Sequence, residues 1–256
     1  QVPVSPGMID EASGIADSRH HPGHIWVQQD GGNPAEITLV GYDGVPVKKI
    51  FISGAGNRDW EDMAAGGGPV AGQDYLYIAE TGDNNAVYTE YAIYRFPEPG
   101  PATDTVTGTE KIRFVYPDGP HDTEAMFTDP DTHDIYLISK RETLSRVYRL
   151  AFPQATGTLH TAEYMGEMTI SGASGAAISA NGHEILVKTY THIYYWKRHT
   201  GESIIQALHR MPLTLGYVLE PQGEALGFRQ DNSGFYTLSE RPFFAQSVNL
   251  NLYKRK

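Results

Sequence analysis

The sequence predicts an all-β chain: a single five-bladed β-propeller over residues 1–256, closed by its N-terminal strand. Three observations carry that prediction. Five short signatures recur: EASGIA (Glu11 to Ala16), DWEDMA (Asp59 to Ala64), DTEAMF (Asp122 to Phe127), SGASGAAIS (Ser171 to Ser179) and QGEALGF (Gln222 to Phe228). Counted through Ser13, Glu61, Glu124, Ser174 and Glu224, their steps are 48, 63, 50 and 50 residues, a period typical of blade architectures. Nearly every segment between them reads as a short apolar run bounded by Gly, Pro, Asn or Asp, which is strand and turn chemistry.

Each repeat supplies its strands in order. The first gives EASGIADS, HIWVQQD, EITLVGY and VKKIFIS; the second WEDMAAG, DYLYIAE, YAIYRFP and EKIRFVY. The third gives TEAMFTD, DIYLISK, RVYRLAF and TAEYMGE; the fourth GAAISAN, EILVKTY, HIYYWKR and IIQALHR. The fifth gives only EALGFRQ, GFYTLSE and VNLNLYK. The missing strand is expected from Val2 to Ser5, which would close the ring and remove an open edge. The long step reflects PEPGPATDTVTGTE (Pro97 to Glu110), read as a surface loop. No stretch shows a convincing 3.6-residue period.

Composition limits the partners. A net charge of −11 argues against a nucleic-acid polymer. The absence of cysteine excludes disulfides and thiolate metal sites. No apolar run approaches the roughly 20 residues of a membrane helix. A chain starting at Gln1 is read as processed, with a removed signal peptide and a secreted or periplasmic location. A monomer is expected.

In a propeller the first strand of every blade lines the channel. Aligned on Ile15, Met63, Met126, Ile178 and Leu226, the equivalent polar positions are Ser13, Glu61, Glu124, a small residue within Ser174–Ala176 taken as Ser174, and Glu224. Three converging carboxylates must be protonated, hydrogen-bonded or joined by a cation. Hard oxygen donors without His or Cys favour calcium, with magnesium second. The alternatives are a purely polar plug bonded to backbone amides and a metal that only stabilises the ring.

The ends of the second strands form another ring at the same mouth: Asp30; Glu80 with Asp83 and Asn84; Lys140 with Arg141; Lys188 with Tyr190; and Glu240 with Arg241. Lys140, Arg141 and Lys188 are candidates to hold a small anionic molecule, alongside Tyr190 and Glu240. Asp30, Glu80 and Asp83 are candidate bases, as are Asp59 and Asp62. A salt-bridged rim is the alternative. Trp26 and Trp60 would stack a saccharide or a base, or pack between blades. His121 is read as structural or as a proton carrier.

EASGIA, with DWEDMA, YIAETGDN, DTEAM, VKTY and GEALGF, resembles a group of bacterial secreted propellers related to the phytase-like and SdiA-regulated propellers. The order Ser, Glu, Glu, Ser, Glu at the five blade starts is similar to the soluble calcium-activated nucleotidases. That resemblance implies one calcium in the channel on Ser13, Glu61, Glu124, Ser174 and Glu224. It also implies phosphate contacts from Arg141 and Lys188, an acidic contribution from Asp30, and hydrolysis of nucleotide-like phosphate anhydrides. Two other functions fit the residues: a ligand-binding propeller with a structural metal, and a glycosidase pairing Asp30 with Glu240.

Overall fold

A computed structural model describes every residue except 6, 243, 244, 246 and 256. Five small sheets form the five blades. Blade one holds Ala12–Asp17, His24–Gln29, Glu36–Gly41 and Pro46–Ile52. Blade two holds Trp60–Gly66, Tyr75–Glu80, Tyr91–Pro97 and Glu110–Val115. Blade three holds Thr123–Thr128, Ile135–Ser139, Arg146–Leu150 and Glu163–Glu167. Blade four holds Gly175–Ile178, Glu184–Lys188, Ile193–Lys197 and Leu213–Leu215. Blade five holds Gly223–Phe228, Gly234–Ser239 and Val248–Lys254, completed by the N-terminal strand Val2–Val4. Val2 lies opposite Leu250 and Val4 opposite Val248, antiparallel.

The innermost strands touch in sequence around the ring. They approach so closely that side chains are excluded at some positions. A Cβ at Gly14 would collide with the backbone nitrogen of Met63, and one at Gly175 with the carbonyl oxygen of Glu224. Because a backbone atom cannot swing aside, Gly14→Ala is expected to cost about 1–3 kcal/mol, as overpacking does. A lower urea midpoint at unchanged slope would show it; an unchanged midpoint would mean the ring breathes.

The connection between the third and outer strands of a blade reaches back over the preceding blade. In blade one it is a turn whose Gly44, at φ 79°, packs on the carbonyl of Pro3 in blade five. In blade two it carries Thr105–Val106, which pairs parallel with Phe51 and Ile52 as a fifth strand on blade one. The loop expected over Pro97 to Glu110 is therefore partly strand, too short to show a period. In blade three it carries Leu159–Thr161, parallel to Arg113–Val115 on blade two.

In blade four the segment Ile204 to Arg210, expected as the outer strand, instead contains the helix Ile204–Leu208, and the strand follows at Leu213–Leu215. Ser203 Oγ accepts from the Gln206 amide at 3.3 Å, and Gln206 Oε1 accepts from the Ser203 amide at 2.9 Å. This reciprocal cap fixes the first turn. Ile204, Ala207 and Leu208 fall on one helical face and bury it against Met168 and Ile170 of the blade three side.

Candidate metal centre and channel mouth

Bulges aim the ring residues. Ladder register slips between Ala12 and Gly14, Trp60 and Met63, Thr123 and Ala125, and Gly223 and Ala225. The residues skipped are Ser13, Glu61 with Asp62, Glu124 and Glu224. A bulge bends a strand and re-aims the extra side chain, here into the channel. All four ring residues are buried. Blade four has no bulge, but its register is fixed by Asp62. One carboxylate oxygen of Asp62 accepts from the amides of both Met126 and Ala176, at 2.8 and 3.0 Å. Ala176 therefore matches Met126, rather than Ile178 as aligned from sequence, and Ser174 falls at the ring position.

Asp62 is the axial group that sequence reasoning placed only among the candidate bases. It is fully buried, and its other oxygen accepts from the Met63 amide at 2.8 Å. Burial pushes its proton affinity well up, and the amides of Met126, Ala176 and Met63 offset only part of that. The matching positions in the other blades are small: Gly14, Ala125, Gly175 and Ala225. That is the signal in the sequence, since one side chain fills the axis and four make room. With every acceptor engaged on backbone, Asp62 is a strut and not a base.

The ring divides into a compensated and an uncompensated half. Lys140 reaches inward and contacts the Glu124 carboxylate. Its ammonium lies 3.7 Å from Glu224 Oε1 and donates to the Tyr190 hydroxyl at 3.0 Å. Tyr190 in turn donates to Glu224 at 2.6 Å. Burial lifts the Glu124 carboxyl to about 8 even against the pull of Lys140, and Glu124 helps hold the Lys140 proton firmly in place. Arg141 donates to Asp122 at 2.5 Å and also to Asn84. Ser13 Oγ donates to the carbonyl of Glu61 and sits 3.4 Å from Glu224 Oε2. Ser174 Oγ donates to the Gly223 carbonyl at 3.3 Å.

Glu61 stands on the other half. Its carbonyl also accepts from Gln28 Nε2 at 2.8 Å. Among the described residues no donor reaches its carboxylate. That carboxylate belongs to two clusters whose ligand oxygens lie within 4.8 Å of one another: Asp30, Asp59 and Glu61, and Glu61, Asp122 and Glu124. Burial, then Glu124, Asp30, Glu224 and Asp59, all push its proton affinity well up. Asp30 is lifted to about 6 by burial, with Glu224, Asp59 and Glu11 adding repulsion and the Gly31 amide opposing. Glu240 is lifted to about 8 by burial and then by Glu224, Asp30 and Glu11.

The remaining mouth residues sort by what they touch. The amides of Asp30, Gly82, Lys140 and Glu240 donate to the carbonyls of Glu11, Asp59, Asp122 and Gln222, each two residues before the ring position. Gly82, not Glu80 or Asp83, is thus the blade two equivalent of Asp30. It is glycine because a Cβ there would collide with the carboxylates of Glu61 and Asp59.

Glu80 is buried, accepting from the Arg58 amide at 3.0 Å and Trp60 Nε1 at 3.2 Å. Asp83 accepts from the amides of Val87 and Tyr88 and from the Tyr91 hydroxyl at 2.7–2.9 Å. Burial raises its pKa, but those donors outweigh burial and hold it low. Both acids fasten loops. Lys188 is completely buried, donates to the Gly223 carbonyl at 2.7 Å and pairs with Glu220 at 3.1 Å, so it does not face the mouth. Arg241 pairs with Asp10 at 2.7 Å.

Trp26 and Trp60 are buried between blades one and two, not offered to a saccharide. His121 is clamped between Glu142 at 2.5 Å and Asp118 at 3.1 Å. Burial opposes its protonation, but both carboxylates favour it and prevail, and the clamp gives the ring a structural role.

These features define a five-bladed β-propeller with an acidic mouth. No protein-family model and no curated protein sequence matches the chain. Solved structures do. An auxiliary nutrient binding protein from Bacteroides thetaiotaomicron aligns with 94% of this chain at 12% identity and a TM-score of 0.51; the chain spans 57% of its length. The hydrazine synthase of Kuenenia stuttgartiensis aligns with 95% of this chain and 71% of its own at 10% identity, TM-score 0.46. A nidogen/laminin complex aligns with 89% of this chain and 72% of its own at 10% identity, TM-score 0.48. The first of these supports a propeller relationship at the level of fold. No helix is long and apolar enough to cross a membrane.

Proposed function

We propose that the protein binds a divalent cation, calcium before magnesium, on Glu61 with Asp30 and Asp59, and that the loaded mouth hydrolyses a phosphate ester or anhydride. The observation that carries this reading is the Glu61 carboxylate: buried, without a donor, and shared by two acidic clusters. An uncompensated buried charge is costly, and an all-oxygen donor set fits calcium. The expected ion is thus displaced from the centre of the five-residue ring, where Lys140 already supplies positive charge, toward blades one and two. When bound, the ion supplies a positive pole for a substrate oxyanion and acidifies water. Asp30, lifted to about 6 in the metal-free protein, would ligate the ion through one oxygen and take a proton from the attacking water through the other. Glu240 at about 8 keeps its proton and serves as acid.

The test is phosphate release from nucleoside triphosphates and aryl phosphates with 1 mM calcium or with chelator, alongside aryl glycosides. Calcium-dependent phosphate release, reduced about 10²–10⁴-fold in Asp30→Asn, is expected. Glycoside cleavage by the same acid pair would favour a glycosidase instead. Calcium binding with no turnover on either panel would leave a ligand-binding propeller. One observation favours that second reading: Lys140, Arg141 and Lys188 are all engaged by carboxylates, so no lysine or arginine of the three is free for an anion.

A further inference from the structure

The five seams between blades are unequal. Among the described residues, those between blades one and two, two and three, three and four, and five and one hold clusters of 14, 15, 15 and 12 buried apolar residues. Among the described residues the seam between blades four and five holds 4: Ala177, Leu186, Ile193 and Leu226. Around them Tyr195, Leu215, Tyr217, Phe228 and Phe235 are only partly buried. Leu213, at the rim, is 65% exposed. Of these, Leu186, Tyr195, Leu213, Leu215, Phe228 and Phe235 line an open, mostly apolar groove of about 270 Å³ that runs to Tyr253 and to the Glu184–Arg255 ion pair.

Topology explains the gap. The other seams are each touched by the third-to-outer connection of the following blade. Val106 enters the seam beside blade one and is 5% exposed; Ala162, just past Leu159–Thr161, enters the next and is 1% exposed. The helix Ile204–Leu208 fills the third, and the Gly44 turn covers Pro3. Blade four would take its cover from blade five. In blade five the third strand is Val248–Lys254 and the outer strand is Val2–Val4, so no described residue forms such a connection. Leu213–Leu215 is left as a sheet edge, and among the described residues its outer side has no backbone partner.

We propose that this seam binds an extended peptide of a partner protein. The peptide adds parallel to Leu213–Leu215 as a fifth strand and inserts an apolar side chain toward Leu186 and Phe235. The occupant's chemistry follows from this chain's own segments. On blades one and two the equivalent edge is taken by a short parallel strand, and a small apolar residue in or just after it fills the seam. An open edge with an apolar slot beside it is the requirement for strand addition, with main-chain bonds for affinity and the slot for specificity. Here the slot is wider, so a Leu- or Phe-sized side chain is expected. The site is independent of the acidic mouth and stands whether or not that mouth binds a cation.

The experiment is selection of a phage-displayed library of linear twelve-residue peptides on the whole protein, followed by fluorescence polarisation with the most enriched synthetic peptide. Enrichment of sequences with an apolar residue in an otherwise extended, polar context is expected. Binding should fall at least tenfold when that residue becomes Ala, when alternate peptide amides are N-methylated, and in Leu213→Asp. Leu213 is exposed enough for that variant to fold, which circular dichroism checks; Leu215→Arg is the second variant. Four results would overturn the proposal: no enrichment, binding indifferent to N-methylation, binding unchanged in both variants, or a concentration-dependent dimer of the wild type that Leu213→Asp dissolves. The last would identify a second copy of this chain as the occupant.

Discussion

Replacing Glu61 with Gln is expected to raise the melting temperature of the metal-free protein and to abolish its response to calcium. The two effects have one cause. In the metal-free protein the Glu61 carboxylate is buried among Glu124, Asp30, Glu224 and Asp59, so removing its charge relieves repulsion. In the wild type, calcium at a hundredfold excess over its Kd stabilises by about 2.7 kcal/mol. For a domain of 256 residues that is roughly 5–10 °C; Glu61→Gln should show about none of it. A calorimetric scan with calcium and with chelator reads both signs. A calcium shift that survives in Glu61→Gln would remove Glu61 from the site.

The same groups set a pH dependence. Folded carboxyls lifted to about 6 at Asp30 and about 8 at Glu240 hold more protons than the unfolded chain between the ordinary carboxylate range and those values. Where the native state binds more protons, stability falls as pH rises. The metal-free protein should therefore be more stable at pH 5 than at pH 8, and calcium should remove most of that slope. A metal-free stability that rises over this window would contradict the burial of these acids.

Asp62→Ala is expected to be the most damaging single change in the channel. It strips the acceptor from the amides of Met63, Met126 and Ala176, which belong to three different blades, and it opens space at the axis. Each buried amide left without its acceptor costs about 1–3 kcal/mol, so the loss over three amides is several kcal/mol, roughly 6–20 °C here. Asp62→Asn, which keeps one acceptor oxygen, should fall between. Equal stability of wild type and Asp62→Ala in urea would show that water replaces the carboxylate without loss.

The blade count and the closure were legible because innermost strands repeat one local problem. Each needs a polar residue at the mouth and an apolar one two positions on, as in Glu124 with Met126 and Glu224 with Leu226. Covers over the seams were not legible. Thr105–Val106 is two residues long and makes its bonds to a strand some fifty positions away, so no periodicity marks it. The helix at Ile204–Leu208 has a single turn of buried residues, and its cap of Ser203 and Gln206 was the available signal.

Asp62 escaped because alternation sends neighbours of a strand to opposite faces. The bulge between Trp60 and Met63 breaks that rule and turns both acids inward. Lys188 looked like a mouth residue because its strand ends there. Glu220, which captures it, lies 32 positions on and belongs to no repeat.

The strand Val2–Val4 has a kinetic consequence. Its ladder with Val248, Asn249 and Leu250 joins segments about 246 residues apart, so closing it costs the chain on the order of 5 kcal/mol of loop entropy. Three residues of pairing must offset that, which places ring closure late in folding. It also makes this ladder the first to release its amides to exchange. Circular permutation, joining Gln1 to the segment after Lys254 through a short turn and cutting at the exposed Pro101–Ala102 tip, would turn the slowest contact into a local hairpin. The permuted ring should close faster while keeping every strand in its present neighbourhood.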